Sequence, residues 1–565
     1  MATQTRKLAF IGNYAPRSCS LGAFSAALLS HLTQKSGLEA FAVAVSDRCN
    51  HYRYPGEVRF VLEQKELPSY IRAAEFINLA QTDLVWLQYD RLMYGGRSGS
   101  HILSLLRELK APVVTTLHTV TADLPPRERS VINEILRLSS RIVATSSEDK
   151  ELLIRTLSVP PERVDLIPHG TPQGSGRDSA LWPLTAQLYL KAFREARRGK
   201  KMMSRKGRHT RPRRPGLPPI RFGHLSSMTD STGVFQHAKY TVPNFGEGYC
   251  TDDNARALIF AVLAGELGLD CAQVGRIAKT SLAFLNHALN RQTGRFRNFM
   301  SFTREWLEEQ GSEDSHGRAL WALGTAIGHS RFEGIRMLAG QLMEGGLETA
   351  EHFSSPRAWA FTLLGINEYL DRLGGDRKAA AVCASLAERL LDLYRTGAGD
   401  DWPWFEPVCT YDNAKLPHAL IVYGSRMNSR EALKCGLEAL GWLVRVQSAD
   451  EGYFRPIGCN GWYPRGGECA FFDQQPLEAH SVASACIEAF RVTGERCWME
   501  KAAMAFEWFL GRNELGVEVC DTESGGCRDA LHAERLNENQ GAESTLAYLL
   551  CLAEMHRIMR AAPER

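Results

Sequence analysis

No stretch of this sequence approaches the roughly 18 consecutive apolar residues that a helix needs to cross a bilayer, so no membrane span is expected. The opening MATQTRKLAFIGNY runs straight into a strand pattern without a secretory apolar segment, which points to a cytoplasmic protein. The fourteen cysteines are scattered, with no close CxxC pairs, and are expected to be mostly reduced thiols. HExxH, GxSxG and phosphate-loop patterns are missing, so neither a zinc site nor a nucleophile elbow is expected. DTESGGC, with Cys520 and Cys527, reads as a loop. No cofactor motif stands out, and a net charge of +3 gives no general reason to expect nucleic acid. What is present is ordinary soluble composition, 44% hydrophobic and 23% charged, over 565 residues, enough for several domains.

Residues 1–175 alternate apolar runs with helical patterns. KLAFIGNY at 7–14, AFAVAV at 40–45, LVWLQY at 84–89, PVVTTLH at 112–118 and RIVATSS at 141–147 read as strands. Strands alternating with helices predict a parallel, doubly wound α/β sheet, whose ligands gather beyond the strand C-termini. Asn13, Arg17, Gln88, His118 and Ser146 would lie there. Residues 176–219 form a second region. ALWPLTAQLYLKAFREARR reads as one amphipathic helix, and residues 191–214 hold twelve Lys/Arg against one Glu. Such a charge run reads as a solvated linker, closed by PGLPP at 215–219.

From 220 to 565 strand signals nearly vanish, and one motif recurs. GYCTDDNARAL at 248–258 is echoed by EDSHGRALWAL at 313–323, SSPRAWAFTLL at 354–364 and YDNAKLPHALI at 411–421. FDQQPLEAHSVASA at 472–485 and NQGAESTLAYLL at 539–550 complete six copies, each a polar helix start followed by small and apolar residues. Amphipathic helices lie between copies, as at 271–289, 377–394, 430–447 and 497–512. Six such hairpins predict an all-α (α/α)6 barrel with crowded inner helices and one-sided outer ones. A twelfth helix is unclear, and HLSSMT at 224–229 is the candidate.

Two resemblances follow. The loop with Gly22, TTLHT at 115–119 and VDLIPHG at 164–170 resemble the N-terminal, acceptor-side half of GT-B glycosyltransferases. Cys19-Ser20 and Gln88-Tyr89-Asp90 depart from the Cys-Gly and Gln-His-Glu of related proteins. After Pro172 there is no room for the donor-binding half, so a remnant or scaffold is implied. Residues 217–560, through Gln236-His237, GYCTDDNARAL, WFEP and the later copies, resemble the six-hairpin glycosidase superfamily, and bacterial fusions of a GT-B module to such a barrel. That resemblance implies an oligosaccharide or polysaccharide substrate and paired-carboxylate hydrolysis or phosphorolysis. The candidate acids are Asp253 and Glu406, with Asp252, Asp314 and Asp473 in reserve. His237, Tyr249, Arg256, Glu313, Arg318, Trp404, Asp412, Asn413, Gln474, Gln475 and Glu543 are the candidate sugar-binding residues. Glycosyl transfer with a donor half from elsewhere, non-catalytic glycan binding and a histidine-based epimerase (His237, His316, His418, His480) are the alternatives.

Overall fold

The computed structural model describes residues 7–17, 20–47, 52–118, 121, 124–168, 181–207, 216–269, 272–533 and 535–561. Cys19, Thr119 and the His169–Gly170 end of the VDLIPHG motif lie outside them. The chain divides into two compact units, Met1–Ser204 and Arg205–Arg565.

The first unit is a seven-stranded parallel sheet. Its strands are β1 (Lys7–Gly12), β2 (Glu39–Ser46), β3 (Val58–Glu63), β4 (Leu84–Tyr89), β5 (Val113–Leu117), β6 (Arg141–Ala144) and β7 (Val164–Leu166), in the order β3-β2-β1-β4-β5-β6-β7. The order reverses between β1 and β4, as in doubly wound folds. Period-2 side-chain alternation splits β1 between two cores. Leu8 and Phe10 pack with Phe24, Leu28, Tyr189 and Phe193, from helices α1 (Ser20–Ser36) and α6 (Leu181–Gly207). Ala9 and Ile11 join the core on the other face. That face carries α2 (Leu67–Leu79), α3 (Ile102–Glu108), α4 (Pro126–Leu138) and α5 (Ser147–Arg155). Two strands escaped the sequence reading. β3 is an edge strand whose burial alternates, and β7 is only three residues long. The basic segment read as a linker is helical as far as Gly207, because α6 runs on through it.

In the second unit the motif copies head alternate helices. These are α8 (Thr251–Glu266), α10 (Glu313–His329), α12 (Pro356–Arg372), α14 (Lys415–Arg426), α16 (Pro476–Thr493) and α18 (Ala542–Ala561). They pack in the order α8-α10-α12-α14-α16-α18, and α18 packs back on α8. Each has a partner outside that order. α9 (Ala272–Ala288), α11 (Glu333–Ala350), α13 (Arg377–Gly397), α15 (Arg430–Val446) and α17 (Arg496–Glu507) pack on the helix before them. α18 meets the single turn α7 (Gly223–Ser227), which overlaps the HLSSMT segment. Burial follows this arrangement. Every residue from Asp253 to Ala264 of α8 is buried, whereas α9 buries Val274, Ile277, Ala278, Ser281, Leu282 and Leu285 at helical spacing on one face.

At the end of these helices away from the motifs, His329 of α10 bridges Glu266 of α8 (2.8 Å) and Glu368 of α12 (2.6 Å), with Arg557 of α18 beside it. Hydrogen bonds to Glu266 and then Glu368 push its pKa up to about 9. A histidine raised on folding contributes stability that is complete below its unfolded pKa near 6.5 and is lost as pH rises through about 9. His329→Ala should therefore destabilise the helical unit by about 2 kcal/mol at pH 6. The difference from wild type should shrink by pH 10, as read by denaturant titration at the two pH values.

Candidate functional site

The motif copies bring acids and bases together at one end of the helical unit. The repeat sets one basic residue at the same place in four successive copies: Arg256, Arg318, Arg357 and Lys415. Each is buried, so each needs a counter-charge.

Arg256 donates to Asp253 (3.0 Å) and to Glu543 at the start of α18 (2.7 Å). Asp253 also accepts from the Cys250 thiol at 3.1 Å. The helix cap is Cys250, whose sulfur accepts from the Asp253 N–H, so neither aspartate caps α8. Burial pushes the Asp253 carboxyl up to about 6 against the pull of Arg256. Only 4% of Asp253 is exposed, whereas the side chain of Glu543 is 44% exposed. The two carboxylates share one guanidinium.

Arg318 joins Asp252 (2.9 Å) to Asp412 (3.2 Å) and lies 4.0 Å from the centre of the Phe361 ring. Asp252, half-buried, also accepts from the Asn298 amide at 3.3 Å. Asp412 is fully buried and sits at φ +50°, a conformation Asp tolerates better than most residues. Although burial opposes it, Arg318 and Lys415 hold its pKa below the usual range.

Arg357 clamps Glu406 through Nη1 (2.8 and 3.1 Å) and donates to Thr410 Oγ1 and to the Tyr411 carbonyl. Asn413 accepts a longer bond from Arg357 and donates to Glu478 at 3.1 Å. Glu478 is pushed up to about 7 by burial and then by Asp412. Tyr411 hydroxyl and Ser355 both donate to Asp314, at 2.5 and 2.6 Å. Glu313 accepts from the Ser354 and Ser355 N–H groups, tying α10 to the entry of α12.

Other candidates stand apart from these networks. Asp473 pairs with His532 at 2.5 Å, and His237 is exposed beside Asp529. Gln474 is buried, and its amide is used by Trp508 and the Phe471 carbonyl, so it has no free arm for a ligand. Gln475, half-buried, precedes α16. Trp404 is fully buried against Phe405 and Trp442 and presents no face to a ligand. Tyr249 is likewise buried, stacked on Phe235, with its hydroxyl donating to Asp230. Both aromatic residues nominated for sugar binding are thus core. Among the histidines, His316, His418 and His480 are buried, and burial pushes His316 down to about 3. Among the described residues no group of three metal-ligating side chains occurs. Cys520 and Cys527, opposite one another across a bridge, are free and buried.

The sequence reading missed Arg357, Asn298, Asp529 and His532. Arg357 had a signal: it aligns with Arg256 and Arg318 in the repeat. Asn298 and His532 sit on loops outside it.

In the first unit, the polar residues beyond the strands are occupied locally. Arg17 donates to Asn13 and pairs with Asp47, Gln88 accepts from Ser25, and Ser146 caps α5.

Residues 29–172 match the model of Glycosyltransferase Family 4. No curated protein matches the sequence. Solved structures similar to the chain include a sugar epimerase from a ruminal bacterium, at 13% identity and TM-score 0.46, covering 59% of this chain and 95% of that one. Cellobiose 2-epimerase from Bacillus thermoamylovorans B4167 gives 11% and 0.47, with the same coverages. A D-mannose isomerase gives 13% and 0.46, covering 64% of this chain and 97% of that one. No described helix is long and apolar enough to cross a membrane.

Proposed function

We propose that the helical unit is an (α/α)6 barrel that cleaves a glycosidic bond of an oligosaccharide by paired-carboxylate catalysis at its motif-bearing mouth. The observation that carries this reading is the unequal setting of the carboxylates there. Asp253 and Glu543 share a single cation, Arg256, and Asp253 keeps its proton up to about pH 6. Glu406 has a guanidinium of its own in Arg357. Two acids whose surroundings differ in this way are what an acid and a base require.

The roles divide accordingly. The Asp253–Arg256–Glu543 group holds the proton for the leaving oxygen, with the exposed Glu543 as its member facing substrate. In the helix order, α8 and α18 lie across the ring from α12 and α14, so Glu406 supports attack from the opposite wall. Asp252 and Arg318 bind hydroxyls next to that proton donor, and Asp314 with Tyr411 does so beside Glu406.

The deciding experiment is digestion of a panel of soluble mannans and glucans by the full chain, with and without phosphate, followed by product analysis. Free reducing sugar supports hydrolysis, and sugar phosphate formed only with phosphate supports phosphorolysis. Unchanged glycans throughout would end the catalytic reading. If Asp253 carries the proton, kcat/KM should fall about tenfold per pH unit as pH rises past about 6. A profile flat to pH 8 would remove it from that role.

A second reading rests on the match of residues 29–172 to Glycosyltransferase Family 4. The first unit keeps the sheet of an acceptor-side half, and too few residues separate it from the helical unit to form a donor half. We read it as a scaffold. Calorimetric binding of a uridine or guanosine diphosphate sugar would instead support transfer with a donor half supplied by another chain.

A further inference from the structure

Tyr249 and Trp404, the rings the sequence nominated for sugar binding, are core residues, and a different set is exposed. In the helical unit the exposed aromatics are Tyr240, Phe245, Phe299, Phe302, Phe332, Tyr411 and Phe471. Phe332 precedes α11, at the far end of α10. The other six all lie on segments leading into α8, α10, α14 or α16, the same end as the carboxylate networks. Random exposure of apolar residues gives scattered single rings, whereas these gather where the acids do.

Two of the six form a ledge, and Phe299 and Tyr240 lie on neighbouring backbone. Phe245 and Phe302 stack with centroids 4.7 Å apart and planes 3° from parallel, each about half exposed. The stack continues inward through Phe235 (4.9 Å from Phe245) to buried Tyr249, so the outer rings are held from beneath. Phe299 pairs across an antiparallel bridge with Cys250, the cap of α8, and Tyr240 belongs to the hairpin that enters Phe245. Asp252 follows Cys250 by two residues. Polar groups interleave with the rings: Thr303 and Arg304 are exposed beside Phe302, with Arg304 donating to Ser231, and Glu247 is exposed beside Phe245. An apolar partner surface would find hydroxyl, guanidinium and carboxylate groups among the rings. A pyranose suits them, because its C–H face packs on an aromatic ring while its edge hydroxyls need polar partners.

We propose that the Phe245–Phe302 ledge is a distal sugar-binding subsite that holds a second part of the oligosaccharide beyond the bond being cut. The proposal rests on the carbohydrate reading of the mouth. It makes the protein prefer chains long enough to reach from Glu543 and Asp252 to the ledge.

The test is native-gel retardation of the full chain in soluble mannan, dextran and mixed-linkage β-glucan, with kinetics on disaccharides and hexasaccharides of the retarding glycan. Phe245→Ala and Phe302→Ala should each weaken retardation about tenfold, the size expected of one lost stacking contact. For the hexasaccharide KM should rise with kcat kept, and disaccharide kinetics should not change. Phe245→Tyr should restore binding, and Phe332→Ala should behave as wild type. Retardation and KM unaltered in both Ala variants would overturn the subsite alone. So would a shift from dimer to monomer by light scattering with glycan binding unchanged, which would assign the ledge to a second copy of the chain. A wild-type protein retarded by no glycan overturns the subsite and the carbohydrate reading together.

Discussion

Glu406→Gln should lower the rate of glycosidic cleavage by about a thousandfold, within the usual range for losing a positioned acid or base. The fold should survive, because Glu406 is half-buried and an amide still accepts from Arg357. Asp253→Asn should cost about as much activity. Asp253 is buried in an ion pair, and removing one partner of such a pair costs about 3 kcal/mol. Its variant should melt earlier, and so should Glu406→Gln, which leaves the buried Arg357 without its carboxylate. Glu543→Gln should resemble Asp253→Asn in rate but melt close to wild type, since Glu543 is the exposed end of the shared pair. Full activity in Glu406→Gln on a glycan the wild type cleaves would remove it from the chemistry.

A comparable loss of stability should follow from adding a single methyl group between α10 and α12. These helices approach on glycine. A Cβ on Gly324 would fall on the Gly365 carbonyl, and one on Gly365 would fall on the Leu320 carbonyl. A Cβ on Gly317 would come within 2.7 Å of the Ala358 carbonyl oxygen. Backbone cannot yield as a flexible side chain does, so the helices must move apart. Gly365→Ala should cost about 3 kcal/mol or more despite the better helix propensity of Ala. Gly340→Ala on α11, where a Cβ meets nothing within 4 Å, should stabilise by about 0.5–1 kcal/mol. Melting curves of the two variants check both signs at once. Because α10 and α12 carry Arg318 and Arg357, Gly365→Ala should also weaken the site, whereas Gly340→Ala should not.

Much of this was legible without coordinates, for a reason particular elements make clear. β1, β2, β4, β5 and β6 are continuous apolar runs because parallel strands are covered on both faces. β3 was missed because only one residue of this edge strand is fully buried. The six motif-bearing helices announced themselves because each begins with a polar signature followed by small residues. The twelfth element stayed obscure since it is one turn long. DDNARAL and YDNAKLP share an Asp-Asn-Ala-cation core, and that pattern alone located two of the networked carboxylates, Asp253 and Asp412.

The partners of these residues were not legible. Nothing local to Asp253 says that Arg256 will be shared with Glu543, 287 residues away, or that a cysteine rather than an aspartate will cap α8. Trp404 and Tyr249 looked like sugar-binding residues because aromatic residues near acids suit a sugar site, but only packing decides which ring is covered. By itself the sequence determined the parallel sheet, the helical repeat and the residue types at its polar helix starts, since periodicity and motif spacing are local properties of the chain. Only the tertiary structure decided which carboxylate is buried, which cation each one meets and which rings face solvent, because burial and pairing depend on helices far apart in sequence coming together.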